Sequence, residues 1–253
     1  MVHIPMTPRA IMDAVTPRGG GSSSSSKALR TAAAAGDSDS VRSHLSAPGG
    51  SALALDSSVL LAACAGGNEE CVRMIITHGA SVRATKKHGA TALHISCEGG
   101  HAGCAQQLVD GGAELNAVEE FHGKTPLAEA CKHGHTECVR LLVERGADVN
   151  IKRKNGATPL HMACEYGYST IVELLLSHGA HINEVLFDGA SAFYLACEAG
   201  REAVARILIN QGADIEKADK MGVTPLEIAR KKGRQACIAL IQTRDVDAGV
   251  QLV

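Results

Sequence analysis

Thr158-Pro159-Leu160-His161-Met162-Ala163-Cys164, carried on through Gly167 and Ile171-Val172-Glu173-Leu174-Leu175-Leu176 to Gly179-Ala180, is the stretch that decides the fold. Thr158 is a side chain that accepts a backbone N–H at a helix start. Pro159 then takes the first helical position, where no donor is lost. Leu160, Ala163 and Cys164 mark one apolar face, and Gly167 stops this short helix. A second helix follows, with Ile171, Val172, Leu174, Leu175 and Leu176 as its apolar side, ended by Gly179 as the left-handed C-terminal residue. Neither helix reaches the roughly 12–15 residues at which an isolated helix is even marginal in water. Each pair must therefore bury its faces on a neighbouring pair.

The neighbours are in the sequence. TALH starts at Thr91, TPLA at Thr125, TPLH at Thr158, SAFY at Ser191 and TPLE at Thr224, a spacing of 33 or 34 residues. Gly79-Ala80, Gly112-Ala113, Gly146-Ala147, Gly179-Ala180 and Gly212-Ala213 keep the same period. Ser58-Val59-Leu60-Leu61 holds the register one period before Thr91, and a weaker copy begins at Lys27. Self-similarity at this period is the mark of a solenoid. The chain closely resembles the ankyrin repeat family, whose T-P-L-H-x-A signature is matched by Thr158–Ala163 and whose hairpin segment is matched by Gly146-Ala147-Asp148-Val149-Asn150. The resemblance implies an all-α, ankyrin-type solenoid of about seven helix-turn-helix repeats with short hairpin-like connections. Its approximate repeats are 27–56, 57–89, 90–123, 124–156, 157–189, 190–222 and 223–245. Residues 1–26, with the run Ser22–Ser26, read as a disordered Gly/Ser/Pro-rich tail, and 246–253 as a short C-terminal tail.

Composition agrees with stacked helices. Of 253 residues, 39 are Ala and only six are aromatic, and Trp is absent, so the interior is built from small aliphatics. A formal net charge of -2 points away from nucleic acid, whose binders usually carry a basic excess. No apolar run is long enough to span a membrane, and the opening stretch is not expected to act as a secretory signal. The expected setting is cytoplasmic or nuclear, with nine reduced cysteines and a monomeric protein.

Cys131, His133, His135 and Cys138 invite a zinc or thiol-catalytic reading. Register argues otherwise. Cys64, Cys97, Cys131, Cys164 and Cys197 all fall six residues after the repeat's opening position, and Cys71, Cys104, Cys138 and Cys237 thirteen after it. Ile171 and Val204 take that second slot elsewhere, so the cysteines read as core residues. His94 and His161 are the signature histidines, His101 and His135 hold one common position, and His78 and His178 precede a terminating Gly; His133 reads as solvated. Gly19-Gly20-Gly21 lacks the strand and lysine of a phosphate loop. No catalytic residues, metal or cofactor are expected.

In the family, hairpin tips and inner helices form a groove for protein partners, and departures from the pattern carry specificity. The aromatics depart most. Phe187 stands at a tip, beside Val185 and Leu186, where sibling copies carry Lys87, Lys154 or Lys220. Phe121 occupies another tip beside Val118, Tyr166 lies late in a first helix, and Tyr194 replaces the signature His. Lys152, Arg153 and Lys154 form a basic tip. The expected activity is a non-catalytic scaffold that binds a protein partner through Phe121, Lys152, Arg153, Lys154, Tyr166, Val185, Leu186, Phe187 and Tyr194. The alternative is a regulatory adaptor or targeting subunit, such as a ubiquitin ligase substrate receptor, which needs a recruiting element beyond the repeats. The resemblance also implies Asn150 as a candidate for asparaginyl hydroxylation, against the plainer role of an Asn bonding its own turn.

Overall fold

A computed structural model describes residues 24–250, with side chains through Thr243. The described residues are helical, joined by hairpin connections whose only β-pairing is two isolated antiparallel bridges, Thr85–Thr91 and Val185–Ser191. Two compact units divide the chain, Met1–Ala130 and Cys131–Val253. The first contains α1 (Ser24–Ala35), α2 (Ser38–Ser46), α3 (Gly50–Ala54), α4 (Ser57–Gly66), α5 (Glu69–Thr77), α6 (Ala92–Glu98) and α7 (Ala102–Asp110). The division falls within α8 (Pro126–His133). The second contains α9 (Thr136–Glu144), α10 (Pro159–Tyr166), α11 (Ser169–Ser177), α12 (Ala192–Ala199), α13 (Glu202–Asn210), α14 (Pro225–Lys231) and α15 (Gln235–Val250).

Within each unit, first helices stack on first helices and second on second. In the first unit α1 packs on α4 and α4 on α6, while α5 packs on α7. In the second, α10, α12 and α14 form one layer, and α9, α11, α13 and α15 the other. The apolar faces read from sequence line these contacts: Leu160, Ala163 and Cys164 are buried, as are Ile171, Val172 and Leu175. Leu174 and Leu176 flank that seam and stay half-buried. Helix α1 begins at Ser24, three residues inside the expected tail, and Ser26 is buried with its hydroxyl donating to Asp56 at 2.6 Å. Residues 1–23 lie outside the described ones. Helix α15 runs on to Val250, past the expected end of the array.

The starts of the helices follow from local chemistry. Thr158 and His161 form a reciprocal cap at α10, as Thr91 and His94 do at α6 and Thr224 and Glu227 at α14. Ser58, in the opening register of its repeat, lies inside α4; Asp56 supplies the cap, accepting from Ser58 N at 3.0 Å. A further device repeats at the turn between paired helices. Gly134 has φ +76°, and the Tyr168 ring of the next repeat lies over it, 2.5 Å from where a Cβ would stand. Arg201 and Arg234 cover Gly167 and Gly200 in the same way, each Nε donating at 3.1 Å to a carbonyl of the preceding repeat, Glu165 O and Glu198 O.

Candidate functional site

The tips of the second unit are tied to one another through backbone. Phe187 N donates to Asn155 O at 3.1 Å, and Lys220 N donates to Asp188 O at 2.8 Å. Each tip is closed internally as well: Arg153 N bonds Ala157 O, Leu186 N bonds Ala190 O and Asp219 N bonds Val223 O, at 2.8 to 3.0 Å. Gly156 has φ +86°, and Phe187 lies directly against it, its Cδ1 3.0 Å from where a Cβ would stand. The ring is thus seated on the preceding tip while 66% of the residue remains exposed. Val185 and Leu186, expected to share that exposure, are half-buried: the hairpin closes over them through the Val185–Ser191 bridge and the Leu186–Ala190 bond.

The basic tip separates into three different environments. Lys152 pairs with Glu184 of the following hairpin. Arg153 is half-buried, with Nη1 on Met162 Sδ at 3.1 Å. Lys154 is exposed and makes no ion pair among the described residues. Tyr166 is half-buried at the end of α10, its ring stacked near that of Tyr168 at 6.2 Å. Tyr194 corrects the sequence reading. It is 7% exposed and donates its hydroxyl to Asp219 Oδ2 at 3.2 Å, so it packs between hairpins rather than standing out as an exposed contact. Burial, with the Asp219 carboxylate beside it, pushes its phenol up to about 12. In the first unit Phe121 is 66% exposed, flanked by the imidazoles of His88 and His122 with centroids at 5.9 and 4.7 Å. Sequence reasoning missed Met221, 86% exposed beside Lys220; it fills the pre-glycine tip position held by Asn155 and Asp188 in sibling tips.

The family model described as ankyrin repeats (3 copies) matches residues 29–119, 114–185 and 183–251, nearly the whole described chain. The chain belongs to the ankyrin repeat family. No curated protein matches it in sequence. Ankyrin repeats are generally protein–protein interaction modules and typically non-catalytic. The signature histidines of these ankyrin repeats are structural. His161 Nδ1 accepts from Thr158 N at 3.2 Å, which leaves the ring proton on Nε2, donated to Glu184 O at 3.1 Å. Burial drives its pKa down to about 4, and lowers that of His94 in the same setting, where Nε2 meets Lys124 O at 3.0 Å. His78 and His178 each donate Nδ1–H to a carbonyl four residues back, Met74 O and Leu174 O, at 2.8 Å.

All nine cysteines of the ankyrin repeats are buried. Burial pushes the Cys64 thiol up to about 12 and the Cys131 and Cys164 thiols higher still, the opposite of what a nucleophile or metal ligand needs. His133, expected to be solvated, is half-buried and stacked on His135 at 6.0 Å. Asn150 is engaged at both ends of its amide, but with the next hairpin rather than its own turn: Nδ2 donates to Gly179 O at 3.1 Å and Oδ1 accepts from His181 N at 2.9 Å. Asn183 repeats the second bond, accepting from Asp214 N at 2.9 Å. No helix among the described residues is long and apolar enough to cross a membrane.

Proposed function

We propose that this ankyrin repeat chain is a non-catalytic scaffold that binds a protein partner across the hairpin tips of its second unit, with Phe187 as the anchor. The observation that carries this reading is the state of Phe187: two-thirds exposed, yet held on Gly156 and bonded through its backbone to Asn155. A large apolar side chain in water gains nothing for the fold, and one already held in place loses little freedom when a partner covers it. Lys154 stands on the preceding tip, Lys152 contributes through its pairing with Glu184, and Tyr166 extends the surface at the far end of α10. Affinity capture with mass spectrometry would identify the partner. Against that partner, Phe187→Ala should leave the unfolding midpoint nearly unchanged and weaken binding by about 2 kcal/mol or more. A lowered midpoint with intact binding would place Phe187 in packing and end the proposal.

A further inference from the structure

One register position, two residues before the glycine of each hairpin, reads Lys87, Phe121, Lys154, Phe187, Lys220 along the chain. All five are exposed. In the second unit the last three stand on consecutive tips joined by the Phe187–Asn155 and Lys220–Asp188 backbone bonds, so a phenyl ring is set between two ammonium groups on a braced frame. The nearby carboxylates are bonded to other groups rather than paired with these ammoniums. Asp188 Oδ1 accepts from Ala190 N at 3.0 Å, and Asp219 accepts from Met221 N and Val223 N at 2.9 Å and from the Tyr194 hydroxyl. Glu184 is taken by Lys152. Lys154 and Lys220 make no ion pair among the described residues.

Resting on the reading above, we propose that the partner segment is an acidic peptide in which one apolar side chain lies between carboxylates. The apolar group meets Phe187 and the exposed Met221, and the carboxylates meet Lys154 and Lys220. Discrete carboxylates at intervals suit two free cations separated by a ring. A single-stranded nucleic acid suits them less well, because it carries a phosphate at every nucleotide where this frame offers two free cations separated by a ring.

The test is a selection of random displayed dodecapeptides on the full chain, followed by direct binding of labelled synthetic peptides and of an oligothymidylate. Selected sequences should carry an apolar residue flanked by Asp or Glu, and should bind more weakly as salt rises. The paired change Lys154→Glu with Lys220→Glu should cut their affinity about tenfold or more at an unchanged unfolding midpoint. Peptides that depend on Phe187 but show no acidic bias, or that ignore the paired change, would overturn this inference and leave the scaffold reading standing. Peptides indifferent to Phe187→Ala, or an empty selection, would remove both. Binding of the oligothymidylate in preference to the peptides would also overturn the inference, in favour of a nucleic-acid ligand.

Discussion

His161 shows how one side chain in this array serves two repeats, and what that makes of pH. Its ring closes the cap of α10 and reaches the carbonyl of Glu184 only while neutral at Nδ1. The folded pKa of about 4 lies below the ordinary histidine value, so the unfolded chain takes up the proton first. The stabilisation is whole above about pH 6.5 and declines as pH falls towards 4, by about 3 kcal/mol in all, and His94 adds in the same direction. Urea midpoints measured from pH 7.5 to 4.5 should fall, and His161→Asn should flatten the slope in that interval. Tyr194 does the corresponding bridging with a phenol. Tyr194→Phe should cost about 1 kcal/mol through loss of the Asp219 bond and leave partner binding intact. The reach of His161 is what the family resemblance implies for a signature histidine, whereas that of Tyr194 was not legible in the sequence. Phe187 was legible, because it stands where Lys stands in sibling tips, whereas the half-burial of Leu186 depends on a backbone bond that no pattern announces. For Asn150, peptide mass spectrometry of protein from a eukaryotic host carrying an asparaginyl hydroxylase decides whether the bridging amide is also a modification site.

Paired helices are held by two kinds of contact, and they differ in how they are written. The apolar seam is periodic, so sequence spacing locates it. Leu175, fully buried on α11, should cost about 2–5 kcal/mol on change to Ala. A chemical-denaturation midpoint equal to wild type would show that seam wrongly assigned. The covers over the turn glycines are not periodic in residue type: a tyrosine, an arginine and a second arginine do the same work at Gly134, Gly167 and Gly200. Their role emerges only when the next repeat is packed in place. Gly134→Ala meets both the left-handed backbone and the Tyr168 ring, and should destabilise by more than about 1 kcal/mol. Tyr168→Ala in the same background should recover part of that loss, since it removes the clash but not the strain.

Across the whole chain, burial of the cysteines is the broadest statement the register makes. Nine thiols distributed over two helix positions should ignore Ellman's reagent in the native protein and all react in denaturant. A thiol that reacted quickly in the native state would mark a place where a repeat opens. The period, the caps and the core positions were readable because each is local or repeats every 33 or 34 residues. The start of α1 at Ser24 was not, since a serine run carries no helical signal and Ser26 is drawn in by Asp56 from a later helix. The substitution at Tyr194 has a reach beyond its own hydrogen bond. A repeat whose signature residue bonds a backbone carbonyl can be followed by any other repeat, because every sequence supplies a carbonyl. The repeat that carries Tyr194 needs the Asp219 side chain in its successor. Those two modules are therefore a matched pair, and a recombination event that duplicated, deleted or exchanged one without the other would leave a buried phenol without its acceptor. At that joint the order of the array is constrained by a pair of side chains rather than by backbone alone.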